Sequence, residues 1–226
     1  MHHTHEPAIL YFGTPVVLLS TLNADGSPNL APMSSVFWLG WRCMIGLDAS
    51  SRTTENIRRT GQCVMNLPSA DQAAHVDRIA LTTGSDPVPS RKRQRGYRFE
   101  ANKFGCAGFT PAPSEAVAPP RALECPVHLE ATLEGEHGLA QSDPYLKGAV
   151  VSFELRILRA HIDDAIMMDG EANRVDPDKW RPLIMSFQKF YGLGPQLQPS
   201  RLASVPEAAY RSPDVDRARA ALARAG

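Results

Sequence analysis

Val16-Val17-Leu18-Leu19-Ser20-Thr21-Leu22-Asn23-Ala24-Asp25-Gly26-Ser27-Pro28-Asn29-Leu30-Ala31-Pro32-Met33-Ser34-Ser35-Val36-Phe37-Trp38-Leu39 is the stretch on which the fold turns. Val16 to Leu22 is β-branched and apolar, the composition of a strand. Asn23-Ala24-Asp25-Gly26 follows, and an Asp-Gly pair between two β-rich runs predicts a hairpin turn. The return run carries Pro28 and Pro32, which cannot donate to a ladder, so it reads as an irregular or edge strand.

Strand character continues outward from this hairpin. Arg42 to Leu47 reads as a third strand. Asp48 to Gly61 then holds several N-cap candidates, Glu55 for the first turn and Gly61 as a stop, which predicts a short helix. Gln62 to Leu67 returns to strand, and Pro68-Ser69 opens a second helix through about Leu81. The segment from Thr82 to Pro120 is rich in Gly, Pro and charge and gives no clear element. Pro126 to Leu133 and Val150 to Ile157 read as strands, the second running on toward Ile166. Pro182 is expected to start a helix with Leu183, Ile184, Phe187, Phe190 and Tyr191 on one face. A last helix spans Ser212 to Ala225, with Pro213 in its first turn. Strands dominate, so the expected class is mainly β with peripheral helices, built as an antiparallel barrel in one domain over residues 1–226.

Composition excludes several functions. Lys plus Arg and Asp plus Glu each number 24 in 226 residues, so no global field favours nucleic acid or acidic lipid. No apolar run approaches membrane-spanning length. The opening Met1-His2-His3-Thr4-His5 has no basic and apolar leader pattern, so the expected location is cytoplasmic, with no membrane and no nucleic acid as partner. Its three histidines read as a disordered terminus. Cys43, Cys63, Cys106 and Cys125 lie far apart without a CxxC, which argues against a disulfide framework and against a metal site.

Chemistry concentrates between Ser20 and Asn56. A helix start has free amides and the positive dipole end, so Ser50, Ser51, Arg52 and Thr53 suit a phosphate. Asn29, Ser34 and Ser35 sit where proline-broken backbone leaves amides for a flat, hydrogen-bonding ring. The plainer reading is that these residues only cap a helix and protect a sheet edge. Elsewhere, Arg91-Lys92-Arg93-Gln94-Arg95 contrasts with the neutral whole. It reads as a solvated loop, a nucleic-acid patch with Tyr97 and Phe99, or a guide for an anionic dinucleotide. Phe37, Trp38 and Trp41 read as core or interface aromatics. His128 alternates with Val127 and Leu129, which puts it on the face away from the core.

Taken in order, Asn23-x-Asp25-Gly26, Asn29-x-Ala31-Pro32-x-Ser34, Ser51-Arg52-Thr53 and Asn56-Ile57 resemble the flavin reductase-like, FMN-binding split-barrel family. Lys103-Phe104, Glu124-Cys125-Pro126-Val127-His128-Leu129-Glu130, His161-Ile162-Asp163-Asp164 and Phe190-Tyr191-Gly192-Leu193-Gly194 extend the resemblance over about residues 10–195, leaving 196–226 as a helical tail. The resemblance implies a six-stranded antiparallel split barrel that dimerises with FMN at the subunit interface. It implies that Asn29, Ala31, Ser34 and Ser35 border the isoalloxazine and ribityl chain. Ser51, Arg52 and Thr53 would take the phosphate, with Asn56 close by.

The implied activity is NAD(P)H:flavin reduction, a hydride passing from NADH or NADPH to the flavin N5, with a flavin-dependent oxygenase as possible consumer. An FMN-binding electron carrier without nicotinamide turnover is the alternative, and a relative using haem or a deazaflavin is a third. One departure bears on that choice. The family's small reductases often carry Gly-Asp-His near the nicotinamide, whereas this chain has Gly135-Glu136-His137, followed at a distance by Gly148. His137 is therefore a weak catalytic candidate or a loop histidine, and His161 is equally open.

Overall fold

The computed structural model describes residues 1–225. Its main sheet has strands β1 (Val17–Leu22), β2 (Pro28–Met33), β3 (Val36–Leu39), β4 (Arg42–Asp48), β5 (Gln62–Leu67), β6 (Val127–Gly138) and β7 (Val150–Ile162). They hydrogen-bond in the order β2-β1-β5-β6-β7-β4-β3, and each neighbouring pair is antiparallel. The hairpin forms as the Asp-Gly turn predicts. Gly26 takes φ 84°, and its amide donates to the Asn23 carbonyl at 3.0 Å.

The sheet has seven strands rather than six, and its hydrogen bonding does not close. The two edges, β2 and β3, are consecutive in sequence and joined only by Ser34 and Ser35. A link that short holds the two edges close, because an extended residue spans at most about 3.3–3.6 Å. Pro28 and Pro32 on β2 lack the N–H groups a closed ladder needs. The seam therefore stays open at the run of small polar residues.

Two apolar clusters flank the sheet. One gathers Leu19, Ile45, Ile57, Met65, Phe153 and Leu155; the other packs Leu18, Leu30, Ile79, Phe104, Phe109 and Leu183. Strand β1 is buried on both faces because its alternate residues feed both clusters. Helix α1 (Arg52–Thr60) is capped by Ser51, whose hydroxyl accepts from the Thr54 amide, and stopped by Gly61 at φ 66°. The remaining helices are α2 (Ala73–Asp77), α3 (Ser90–Gln94), α4 (Lys103–Ala107) and α5 (Pro213–Ala225).

Three expectations need correction. The second helix ends at Asp77, short of Leu81, and begins with a 3-10 turn over Ala70–Gln72. No helix starts at Pro182: Ile184–Ser186 and Lys189–Tyr191 pair as a hairpin, and the former also pairs with Thr14–Pro15. Phe187 and Gln188 turn that hairpin at φ 44° and 64°, residue types that give no turn signature. His128 faces away from the Leu19 cluster, yet it is buried, because it shares the face of Leu18 and Asn66, which the segment around Ala122 covers.

Candidate active site

A cleft of about 340 Å³ opens where the end of β2, the Ser34-Ser35 link, the end of β4 and the start of α1 meet residues 82–103. Asn29, Ala31, Ser34, Ser35, Ser51, Arg52 and Thr53 all line it. The volume is within the range of small-ligand sites.

The local geometry follows from the caps. Ser51 engages the Thr54 amide at 3.1 Å, while the Arg52 and Thr53 amides stand in the first turn, where a helix supplies no acceptors. Arg52 is held by its Nε, which donates to the Gly84 carbonyl at 3.0 Å, and by Nη1, which donates to Glu55 at 2.7 Å. Gly84 permits this approach, since a Cβ there would lie 2.7 Å from Asn29 Oδ1 and 3.2 Å from Arg52 Cγ. Asn29 is buried, and its Nδ2 donates to the hydroxyls of Thr21 at 3.2 Å and Thr53 at 3.1 Å. Thr53 Oγ1 thus accepts from the protein and keeps its own hydrogen to donate.

Asn56 is placed elsewhere. Its amide donates to Thr21 Oγ1 at 3.1 Å and to Asn23 Oδ1 at 3.0 Å, so it ties α1 to the first hairpin behind the cleft wall. His137 also does not line the cleft. It stands near the end of β6 with its side chain 58% exposed, 4.0 Å from Glu154, and Glu136 beside it is paired with Arg58 at 2.6 Å. His161 Nε2 lies 2.7 Å from Glu130, within the network that holds residues 115–116.

Lys103 is the residue the sequence reading missed. It lines the cleft yet is only 3% exposed, and among the described residues its Nζ reaches no carboxylate, only the Thr82 carbonyl at 3.4 Å. Burial pushes the ammonium down to about 8, and nearby Lys92 adds to the effect. A buried, under-partnered cation beside a helix start is a fit for an anionic group. Its only sequence signal was membership of Lys103-Phe104; nothing local announces a buried lysine. Asp48 lines the same cleft. Burial acts to raise its carboxyl, but the Ser50 hydroxyl and amide, then Lys92 and Arg91, hold it below the usual range.

Residues 9–194 match the flavin reductase-like domain. The chain belongs to that family. An uncharacterised Bacillus subtilis protein, YdfE, is 36% identical over 189 residues, 84% of this chain and 88% of that one. The fold resembles flavoredoxin of Desulfovibrio vulgaris, with TM-score 0.71, 21% identity, and coverage of 91% of this chain and 100% of that one. It also resembles nitrilotriacetate monooxygenase component B from Bacillus cereus, with TM-score 0.66, 18% identity, and coverage of 85% and 89%. As a flavin reductase-like domain, the chain has the mainly β architecture of its split-barrel relatives, with the seam open between β2 and β3.

Proposed function

We propose that this family member is an FMN-dependent NAD(P)H:flavin oxidoreductase that works as a homodimer. The observation that carries the reading is the convergence on one cleft of the α1 amides, Arg52, Thr53 and the under-partnered Lys103 with Asn29, Ala31, Ser34 and Ser35. The first group offers charge and donors to a phosphate; the second offers small, polar edges to a flat ring.

The chemistry supplied by bound FMN is acceptance of a hydride at its N5 atom from NADH or NADPH. The chain's residues bind and orient. Arg52, braced by Gly84 and Glu55, would hold the phosphate with the guanidinium hydrogens those two contacts leave free. Thr53, held by Asn29, donates its hydroxyl hydrogen. Lys103 would supply a positive charge to the phosphate, and a bound anion would favour its charged form. Ser34, Ser35 and Ala31 leave room for the ring at the open seam, where β2 prolines free backbone groups for hydrogen bonding. No side chain in this account serves as general acid or base.

The electron-carrier alternative keeps the same FMN site and lacks nicotinamide turnover. It is favoured by the position of Gly135-Glu136-His137 outside the cleft of its own subunit. The likeness to a monooxygenase component B supports a flavin-dependent oxygenase as consumer of the electrons. A visible spectrum with added FMN, followed anaerobically by NADH and then NADPH, tests the proposal. Flavin bands that bleach within seconds identify a reductase and its donor. Bound flavin that bleaches only with dithionite selects the carrier, and no flavin binding overturns both.

A further inference from the structure

We infer that the basic segment Ser90–Tyr97 forms a second anion subsite on the cleft, one that takes the phosphates at the adenosine end of a dinucleotide. This inference rests on the flavin reading above and extends it to the second ligand.

The segment is tied to the cleft wall. Thr82–Thr83 pairs with Arg98–Phe99, so residues 84–97 form an excursion whose two ends are fixed side by side. Within it, the Pro89 carbonyl accepts from the Lys92 and Arg93 amides at 2.9 Å, and the Tyr97 amide donates to the Lys92 carbonyl at 3.1 Å. Lys92, Arg95 and Tyr97 are thereby brought to line the same cleft as Arg52 and Thr53.

Their charge is unspent within the chain. Arg42, Arg52, Arg58, Arg98, Arg156 and Arg217 each sit against a carboxylate. Among the described residues, Arg91, Lys92, Arg93 and Arg95 have no carboxylate within the 4.0 Å of an ion pair. Asp48 is the acid that faces them across the cleft, and its interaction with Lys92 and Arg91 is at longer range. Glu55 and Glu100 are taken by Arg52 and Arg98, and Asp86, in the same excursion, lines the neighbouring pocket beside Arg52 and is not within ion-pair distance of these four cations.

In a chain of zero net charge, four adjacent unpaired cations make a strong local positive field. FMN carries one phosphate, and the α1 start, Arg52 and Lys103 already answer it. The cations of the basic segment are therefore surplus to the flavin and fit a ligand with further phosphates. Tyr97, half-buried in the cleft wall, presents a ring on which an adenine stacks. Two dinucleotides have that chemistry: NADPH, with a pyrophosphate and a 2′-phosphate, and FAD, whose own ADP half extends from the flavin phosphate.

The test is calorimetric titration of the FMN-loaded protein with adenosine 2′,5′-bisphosphate and with 5′-AMP. The proteins are wild type, a Lys92→Gln/Arg95→Gln double variant and the charge-keeping pair Lys92→Arg/Arg95→Lys. Both side chains are at least partly exposed, so folding is not at stake. The bisphosphate is expected to bind wild type about tenfold more tightly than 5′-AMP, to lose about tenfold in the Gln pair, and to recover in the charge-keeping pair.

FMN affinity, read by flavin fluorescence, is expected to change by less than about threefold in the Gln pair. Equal losses of FMN and bisphosphate affinity would assign the cations to the flavin phosphate and overturn the subsite, as would no bisphosphate binding to wild type. FAD affinity for the apo protein separates the sources. FAD binding about tenfold tighter than FMN, with the gain lost in the Gln pair, places the flavin's own ADP half there; equal FAD and FMN affinity leaves NADPH. Because these readouts are binding constants, a flavin that neither nucleotide reduces would overturn the reductase reading while the subsite stands.

Discussion

Arg52 and Lys103 approach the cleft by different routes, and each has its own consequence. If Arg52 holds the phosphate as proposed, Arg52→Ala deletes a charged hydrogen bond, a loss of about 1.5–3 kcal/mol, so FMN affinity should fall by about ten- to a hundredfold. A fluorescence titration reads this directly, and a change within about threefold would show that the phosphate lies elsewhere. Lys103 adds a pH dependence. Its folded value of about 8 lies below the ordinary 10.5, so between those values the unfolded chain holds more protons than the folded one. Apo stability should therefore rise with pH across that window. Below it both states are protonated, and the folded state bears the cost of a buried charge, on the order of 3 kcal/mol. Lys103→Met should raise the melting temperature of the apo protein at pH 7, abolish the rise toward pH 10 and weaken FMN binding. A variant that melts below wild type at pH 7 would contradict the buried-charge argument. Ser51, Arg52 and Thr53 line one cleft, and at this scale the Ser51 cap that starts α1 was legible, because capping chemistry is local in sequence. Lys103 was not, because only the packing of residues 82–107 buries it. Asn56 stands behind the cleft lining, because the direction of its side chain depends on Thr21 and Asn23 across the hairpin, which its helix position alone does not show.

Elements with local punctuation were readable and those without it were not. The first hairpin had Asp25-Gly26, helix α1 had Ser51 and Gly61, and β5 had the apolar Cys63-Val64-Met65 between Gly61 and Pro68; all three lie where the sequence put them. The Pro182 region had an apolar spacing that fits a strand pair as well as a helix, and its turn used Phe187-Gln188. Residues 111–122 had no signature because side chains of the sheet hold them. Glu130, wholly buried on β6, accepts from the Glu115 and Ala116 amides at 2.9 and 2.5 Å and pairs with His161 at 2.7 Å. Burial acts to raise its carboxyl, but His161 and those amides bring it down to about 2. A carboxylate so depressed stabilises the fold fully above its ordinary 4.5 and loses that contribution as pH falls toward 2. Glu130→Gln should lower stability at neutral pH by about 1–3 kcal/mol and flatten the acid limb of a stability-against-pH curve. An unchanged acid limb, measured by urea unfolding, would remove Glu130 from this role.

At the scale of the whole molecule, the open seam and the edge strands bear on assembly. Strand β3 is a sheet edge, and it carries Phe37 at 55% and Leu39 at 75% exposure beside the partly buried Trp38. Trp38 keeps a buried indole N–H with no acceptor among the described residues. An exposed apolar edge invites pairing or cover. On the far side of β7, a groove of about 1150 Å³ separates the sheet from residues 202–222, with Trp41, Leu158 and Leu222 in its walls. A second copy of the chain seated against β3 would cover its aromatics and close the seam beside Ser34 and Ser35, which would complete the flavin cleft from the partner side. Sedimentation at micromolar concentration should therefore give a dimer, and Phe37→Asp/Leu39→Asp, at exposed positions that need no refolding, should yield monomers. Those monomers should bind FMN at least about tenfold more weakly than the dimer, because half of the ring's surroundings would be solvent. A monomeric wild type saturated with FMN, or a monomeric variant of full affinity, would show that one chain holds the flavin by itself.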